Sequence, residues 1–307
     1  MNKELRIEAQ DDVRESRFGD TGVLRGNARL LAAAGMIADW VNGCVDRTLA
    51  DGSDIGDGRD AAGRDGCGTA DRRSGRDAAD GAEAPAANRR KVVFADIGTD
   101  HAYLPIALCE AHVVDRAIAA DVKEGPLAIA KTHIAGAGLS DRIEPRLSDG
   151  LSNIAPGEAD VIAICGMGGE LLLRILETNI PAAKAAEYLV LGPQSKVRKV
   201  RVGLRERGFR IITEDMVSAD GKYYPLIGAV PKKNEVPQAG KAADEELFDR
   251  YGYDLLRKRH PVLRSFLKKE KTRLTEIKSR TTGARRQGIE HQLLLCERAL
   301  LWMTEDI

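Results

Sequence analysis

Three aspartates in the middle of this 307-residue chain each end or closely follow a candidate strand, which is a short apolar run in the first two cases. They are Asp96, Asp121 and Asp149. Short apolar runs without charges are typical of buried strands in a parallel sheet, and ligands bind at the edge where the carboxyl ends of such strands meet. In such folds an acid about 20 residues beyond the first glycine binds ribose hydroxyls. We therefore predict that these aspartates recognise an adenosyl group, with Asp121 on the ribose.

Glycine turns follow two of the predicted strands. Gly98 comes shortly after Asp96, and Gly166 and Gly168 follow a later apolar run. Glycine lets a ligand approach the backbone, and N–H groups at the next helix start should face the same crevice. No G-x-G-x-x-G pattern follows Asp96, and Asp100 stands where a pyrophosphate would disfavour negative charge. These features favour the cation S-adenosylmethionine as cofactor over NAD, with an NAD-dependent oxidoreductase as the rival interpretation.

The elements that must position these residues follow from the apolar pattern and the turn residues. We predict strands at residues 92–95, 117–121, 143–147, 160–164, 188–191, 209–217 and 223–230, and helices at residues 28–41, 103–112, 125–136 and 170–177. Asp220-Gly221 between the last two strands is typical of a hairpin turn. The predicted fold class is therefore α/β, a Rossmann-like parallel sheet that ends in an antiparallel hairpin.

The segments before this sheet differ sharply in composition. Residues 1–44 hold a polar amino terminus and the helix 28–41, whose apolar stripe predicts that it caps one edge of the sheet. Residues 45–90 are rich in Asp, Gly, Arg and Ala and poor in large apolar residues. Such a segment buries too little apolar surface to offset its ordering entropy, so we predict a disordered insertion. The core is expected to span residues 91–230.

Two further helices, at residues 245–277 and 288–303, are expected beyond a linker at 231–243. Their apolar residues predict an antiparallel, coiled-coil-like hairpin within a segment of residues 241–307, in which Leu294 and Leu301 face the first helix. Basic residues concentrate here, which indicates either a solvated face or, as we favour, contact with an RNA backbone. The candidate RNA-binding residues are Arg257, Lys258, Arg264, Lys268, Lys271 and Arg273.

Composition excludes several other classes. The chain has 47 basic and 47 acidic residues, so nucleic acid contact must come from a local patch. Its five cysteines are scattered without a C-x-x-C pair, which argues against a disulfide framework and against structural zinc. No signal pattern or membrane-length apolar run is present, so we expect a cytoplasmic protein with no membrane partner.

The motifs resemble one known family. They are the segments 96–105 (D-I-G-T-D-H-A-Y-L-P), 125–127 (G-P-L), 164–171 (I-C-G-M-G-G-E-L), 192–194 (G-P-Q) and 221–224 (G-K-Y-Y). Together they are similar to the bacterial tRNA (adenine-N1)-methyltransferases that modify adenine 22, the TrmK type. The resemblance implies a class I methyltransferase fold, S-adenosylmethionine as cofactor and tRNA as partner, and it implies no protein partner. It also suggests that the helix 28–41 closes over the cofactor cleft, as an alternative to a helix that only caps the sheet. The alternative from a different class is a catalytically idle RNA-binding protein that keeps the fold.

Four residues are candidates for catalysis on adenine: Asp100, His101, Tyr103 and Gln194. Methylation at N1 leaves a cationic base unless the exocyclic amine loses a proton, so an oxygen facing that amine would stabilise the charge of the transition state. Asp100 could serve this purpose or could bind the ammonium group of the cofactor. His101 has no second ligand at metal-binding spacing, so no metal site is expected.

Overall fold

The computed structural model describes residues 18, 23–24, 27–43, 90–232 and 244–304. The predicted insertion at 45–90, apart from its last residue, and most of the predicted linker at 231–243 lie outside the described residues. Within the described ranges, no helix combines the length and apolar character needed to cross a membrane.

Seven strands and ten helices are described. The strands are β1 (Val93–Ile97), β2 (Arg116–Asp121), β3 (Ile143–Leu147), β4 (Val161–Gly168), β5 (Tyr188–Ser195), β6 (Phe209–Ala219) and β7 (Lys222–Pro231). The helices are α1 (Ala28–Val41), α2 (Tyr103–Glu110), α3 (Glu124–Gly136), α4 (Gly169–Thr178), α5 (Ile180–Ala185), α6 (Val197–Glu206), α7 (Glu245–Tyr251), α8 (Tyr253–Arg257), α9 (Pro261–Ser279) and α10 (Gly283–Trp302).

All seven strands form one sheet in the order β3-β2-β1-β4-β5-β7-β6. Strands β1 to β5 pair in parallel, whereas β7 runs antiparallel to both β5 and β6. The carboxyl ends of β1 to β5 therefore meet at one edge, as the predicted Rossmann-like fold requires.

Two helical layers cover the sheet because successive strand residues point to opposite faces. In β1, Phe94 packs with α1, α2 and α3, whereas its neighbour Ala95 packs with α4, α5 and α6. Both side chains are fully buried. Burial on both faces explains why the central strands read as continuous apolar runs in the sequence.

The hairpin between β6 and β7 is tighter than predicted. Its loop consists of Asp220 and Gly221, whose φ angles are 51° and 73°. Positive φ at both positions matches the right-handed twist of the flanking strands, so pairing continues to Ala219 and Lys222.

The prediction of one helix over 245–277 is wrong, because α7, α8 and α9 occupy this range. Gly252, with φ of 88°, separates the first two helices, and a Cβ there would lie 2.3 Å from Glu214 Oε2. Arg259, with φ of 52°, and Pro261 at the start of α9 separate the next two. Proline starts a helix readily but disfavours helical backbone in the residue before it.

The predicted pairing of α9 with the last helix holds, with different contacts. Leu294 and Leu301, expected at the interface, are 53% and 56% exposed. Leu295 and Ala299 are buried instead. The last helix, α10, begins at Gly283 and not at residue 288 as predicted. The predicted start therefore did not indicate which residues of α10 face α9.

The C-terminal helices dock on the sheet through a buried ion pair. Arg201 of α6 and Glu214 of β6 are 3% and 2% exposed, and Arg201 Nε lies 2.7 Å from Glu214 Oε1. Arg201 Nη1 also donates to the carbonyl oxygens of Asp249 and Arg250, each at 3.0 Å. Leu247 of α7 shares an apolar cluster with the β6 side of the sheet. The helices therefore continue the packing of the core.

Candidate active site at the carboxyl edge of the sheet

A cavity of about 630 Å³ lies along the carboxyl edge of the sheet. Its lining comes from β1, β2, β4, β5 and β7, from the segment after β3 and from the start of α1. Volumes of this size are typical of small-molecule sites. Parallel pairing of β1 to β5 brings together residues that lie up to 98 positions apart, from Asp96 to Gln194.

The turn after β1 has an unusual backbone. Gly98, Asp100 and Ala102 have φ angles of 76°, 54° and 60°. The N–H group of Gly98 donates to the carbonyl oxygen of Ala120 at 2.9 Å, and that of Asp100 donates to Asp121 Oδ2 at 3.2 Å. These two N–H groups of the turn are therefore bonded to β2 and do not face the cavity, whereas the expectation concerned the N–H groups at the start of α2. An anionic ligand finds few backbone donors here.

Two of the predicted adenosyl-binding aspartates are buried at the foot of the cavity. Asp96 is 6% exposed and accepts a hydrogen bond from the Thr99 hydroxyl at 2.9 Å. Burial raises the pKa of Asp96 to about 7, with a further increase from Asp121 and an opposing effect of Thr99. Asp121 is 8% exposed and also accepts from the N–H group of Lys123 at 2.9 Å. Asp149, the third, lines the cavity from the exposed segment after β3.

The three predicted glycines differ in position. Gly98 and Gly166 line the cavity with φ angles of 76° and 81°. A Cβ on Gly98 would lie 2.0 Å from Met167 Cε, so a larger residue would displace Met167, which also lines the cavity. Gly168 is not among the lining residues, and a Cβ there would lie 3.2 Å from Ser195 Oγ. Gly168 therefore serves close packing between β4 and β5.

The four predicted catalytic residues all line this cavity. The Asp100 side chain is 70% exposed, and its Oδ1 atom lies 3.5 Å from His101 Nε2. Gln194 is exposed near the end of β5. Asp100 thus stands at the cavity mouth, whereas Asp96 lies at its foot.

Three aromatic rings stack at the same mouth. The Tyr103 ring, in a residue that is 36% exposed, lies 5.3 Å from the His101 ring and 5.4 Å from the His133 ring. His133 Nδ1 lies 3.0 Å from the His101 carbonyl oxygen. His133 could not be recognised from the sequence, because it reaches this stack from the last turn of α3. The stack fixes the orientation of the exposed Tyr103 ring.

Arg29 closes the opposite end of the cavity and was also missed. Its guanidinium lies 4.9 Å from the centre of the Tyr224 ring, and both residues line the cavity. Arg29 belongs to α1, which buries Ile37 in the core beneath the sheet while Asn27 and Leu30 line the cavity. The helix therefore packs against the sheet and also contributes residues to the wall of the cavity. The apolar stripe of α1 could be recognised in the sequence. The contribution of its polar first turn to the cavity could not.

Comparison with a protein-family model decides the family. The model of the TrmK family, described as tRNA (adenine(22)-N(1))-methyltransferase, matches residues 94–297. The chain belongs to this family. The resemblance inferred from the motifs is thereby confirmed.

Individual TrmK relatives agree with this result. The tRNA (adenine(22)-N(1))-methyltransferase of Bacillus subtilis is 39% identical over 137 residues, which are 45% of this chain and 58% of the relative. This sequence match thus spans less than two thirds of the relative's length. The crystal structure of B. subtilis TrmK has a TM-score of 0.60 and 28% identity, and the match covers 68% of this chain and 92% of that one.

Structures with cofactor molecules are also similar. Streptococcus pneumoniae Sp1610 in complex with S-adenosyl-L-methionine has a TM-score of 0.61 and 30% identity over 69% of this chain and 93% of that one. M. capricolum TrmK in complex with S-adenosyl-homocysteine has a TM-score of 0.60 and 25% identity over 69% and 92% of the two chains. The predicted α/β methyltransferase fold is confirmed.

The basic residues of the C-terminal helices in this TrmK-family chain are mostly engaged within the protein. Their contacts are Arg257 with Asp254 at 3.0 Å, Lys258 with Asp254 at 2.5 Å, Lys271 with Glu297 at 3.0 Å, Arg273 with Glu270 at 2.9 Å, and Arg264 with the carbonyl oxygen of Met303. Lys268 is exposed and lines a shallow depression of about 380 Å³ on α9, together with Lys269, Thr272, Arg273 and Glu276. Among the six candidates, Lys268 and Arg264 have no acidic neighbour at ion-pair distance in the described part of the chain, and Arg264 donates to the Met303 carbonyl oxygen instead.

Within the described ranges, no group of three or more His, Cys, Asp or Glu side chains could hold a metal ion.

Proposed function

We propose that this TrmK-family chain methylates N1 of adenine in tRNA, at the position numbered 22, with S-adenosylmethionine as the methyl donor. The observation that carries the proposal is the aspartate-lined cavity at the strand ends of a chain from this family. The cytoplasm is the proposed location, because tRNA is modified there.

The residues of the cavity fit the proposed cofactor. Four aspartates line the cavity, and its lysine and arginine side chains are Lys123 and Arg29. This excess of acids suits a ligand with a sulfonium and an ammonium group. Burial raises the pKa of Asp96, so a bound cation beside it would stabilise its carboxylate. When bound, S-adenosylmethionine supplies an electrophilic methyl group.

The strand order suggests how the chain holds this cofactor. Asp121 on β2 would accept hydrogen bonds from the ribose hydroxyls, and Asp149 beyond β3 would contact the adenine end. Asp96 on β1 would hold positive charge. Arg29, at the β4 and β7 side, is placed for the carboxylate, and Gly166 leaves room beside the β4 backbone.

The cavity mouth suits the acceptor base. N1 lies on the Watson–Crick edge, so the adenine must leave its stack before it can react. The exposed Tyr103 ring offers a face for a flat base, and aromatic stacking of this kind binds extruded bases. Positioning of the base against the methyl group is the main contribution required.

Asp100 is proposed to face the exocyclic amine of that adenine. Its carboxylate is exposed at the mouth, 3.5 Å from His101, which supports an acceptor role over binding of the cofactor ammonium group. A hydrogen bond from the amine to this carboxylate strengthens as the base gains positive charge. Gln194 would contribute its amide oxygen on the β5 side.

The activity is tested by mass analysis of nucleosides from tRNA incubated with the protein and S-adenosylmethionine. We expect 1-methyladenosine in a tRNA with adenine at position 22 and none in a matched transcript with guanine there. Binding of tRNA with neither cofactor binding nor methylation would support the catalytically idle alternative. Methylation of both transcripts would overturn the proposed position.

The role of Asp100 is tested by single-turnover kinetics of Asp100→Asn. We expect the methylation rate to fall by about 10- to 100-fold, the range of a lost charge-assisted hydrogen bond, while cofactor affinity is unchanged. A fall in affinity with full rescue of the rate at saturating cofactor would instead assign Asp100 to the ammonium group.

A further inference from the structure

Cations crowd the protein surface immediately beyond Gln194. Gln194, Ser195 and Lys196 are consecutive exposed residues, and α6 begins at the next position. Gln194 lines the cavity, so an RNA strand that places a base in the cavity must pass this surface or the opposite rim. Lys196 lies in the turn between β5 and α6. Its φ angle of 54° is an unfavourable conformation for lysine.

Helix α4 brings a second cation to the same place. A Cβ on Gly169 would lie 2.6 Å from the carbonyl oxygen of Ser195 and 3.1 Å from that of Lys196, so the start of α4 abuts this turn. One turn later, Arg174 is exposed on α4. Leu171, between them, is 41% exposed and lines the cavity. The exposed face of α4 therefore continues the cavity rim.

We name the group Arg174, Lys196, Arg198 and Lys199 the basic rim. All four side chains belong to exposed residues. The acid in their midst is Glu170, whose Oε1 atom lies 2.9 Å from Lys199 Nζ, in a pair with 61% and 58% exposure.

The hydrogen bond and charge of Lys199 lower the pKa of Glu170, with smaller contributions in the same direction from the charges of Lys196 and Arg174. Arg198 lies 3.4 Å from Glu246 in another exposed pair. Exposed pairs of this kind contribute little and exchange readily with other anions.

Two members of the basic rim have no such pairing. In the described part of the chain, neither Arg174 nor Lys196 lies within ion-pair distance of an acid. This differs from the C-terminal helices, where most of the candidate cations already have partners. Two acids, Glu170 and Glu246, oppose the four cations, so the basic rim keeps a positive charge that attracts anions.

We propose that the basic rim binds the phosphodiester backbone of the tRNA next to the adenine in the cavity. The inference rests on the proposed function, since an extruded base leaves its own phosphates at the cavity mouth. Phosphate contacts fix the register of a nucleic acid without reading its sequence. The basic rim would thus decide which nucleotide enters the cavity.

The test measures tRNA binding by the full-length protein as a function of salt concentration. The variant is Arg174→Ala with Lys196→Asn, because asparagine tolerates positive φ. The matched control is Arg116→Ala with Lys131→Ala, two exposed cations on β2 and α3 that do not line the cavity. Each lost phosphate contact reduces the slope of log affinity against log salt by about 1. We expect a reduction of about 2 in the rim variant, no change in the control, and recovery of part of the slope in Arg174→Ala with Lys196→Arg.

The outcomes separate the basic rim from the proposed function. Cofactor affinity and melting temperature should equal those of the wild type, because neither residue contacts the foot of the cavity. If wild-type protein forms 1-methyladenosine and the rim variant keeps the wild-type salt slope, the proposal is overturned and the rim faces solvent or an acidic protein. Loss of affinity without a change in slope also overturns it. Absence of methylation by the wild type would instead refute the proposed function.

Discussion

The carboxyl edge of the sheet and the C-terminal helices both carry many charged residues, and they use them differently. At the sheet edge, Asp100 and Asp149 remain exposed to a cavity, and Asp96 is buried there without a cation. On the C-terminal helices, cations such as Lys258 and Lys271 pair with acids of the same chain. Charge that the fold leaves uncompensated marks a binding surface, whereas charge density in the sequence does not.

The strongest test of this comparison concerns the joint between the two regions. Arg201→Met would leave the buried Glu214 carboxylate without its partner, and breaking a buried pair costs roughly 3 to 5 kcal/mol of the free energy of unfolding. The double variant Arg201→Met with Glu214→Leu should regain most of this loss. Urea denaturation measures both. A loss below about 1 kcal/mol in the single variant would show that this buried pair contributes no more than an exposed one.

Asp96 provides a pH-dependent test of the uncompensated edge. Its pKa is raised from 3.8 to about 7, so between these values the folded chain keeps a proton that the unfolded chain releases. The contribution of Asp96 to stability is therefore fully present below about pH 4 and is lost as the pH rises through about 7. The loss is on the order of 4 kcal/mol at most.

Asp96→Asn should remove this part of the pH dependence. Thermal unfolding of cofactor-free protein between pH 5 and 8, compared with the wild type, measures the difference. Identical pH profiles for the two proteins would contradict the raised pKa.

Asp121→Ala tests the binding function of the same edge. Loss of charge-assisted hydrogen bonds worth roughly 1.5 to 3 kcal/mol should weaken binding of S-adenosylmethionine by about 10- to 100-fold. Asp141→Ala, which removes an exposed acid outside the cavity, is the matched control. Calorimetry on the folded variants gives both affinities, and an unchanged affinity for Asp121→Ala would remove this residue from the site.

The smallest expected effect separates free from engaged cations on the C-terminal helices. Lys268→Ala should reduce the salt slope of tRNA binding by about 1. Lys258→Ala should leave the slope unchanged, because Lys258 Nζ already lies 2.5 Å from Asp254 and 3.3 Å from the Glu214 carbonyl oxygen. Equal slopes for the two variants would show that intramolecular pairing does not decide which cations reach RNA.

The sheet edge was predicted well from the sequence because the strand topology determines which residues meet there. Once parallel strands are recognised, residues at their ends, such as Asp121 and Gln194, must meet. Nothing local places Arg29 or His133 beside them, because each arrives on a helix whose orientation depends on packing. The residues along the carboxyl edge could therefore be inferred in outline from the sequence. The residues at the two ends of the cavity, Arg29 and His133, could not.

The C-terminal helices were harder to predict for a different reason. Their apolar spacing is helical throughout, so Gly252 and Pro261 gave only local hints of the breaks. The acid partners of the cations come partly from other helices, as Glu297 does for Lys271. The sequence shows how many cations these helices carry. It does not show which acids pair with them, because folding brings those acids near.

The turn after β1 has a consequence for which adenosine derivatives can compete for this edge. Adenosine is also the common part of cellular nucleotides, whose tails are polyphosphates. In this turn the N–H groups of Gly98 and Asp100 donate hydrogen bonds to β2 and are not available to a ligand. The turn presents carboxylates to the cavity instead. Discrimination therefore falls on the tail of the molecule, through repulsion of anions. An inhibitor built on adenosine should carry a positively charged tail, and one built on a nucleotide triphosphate should fail even though its base and sugar are correct.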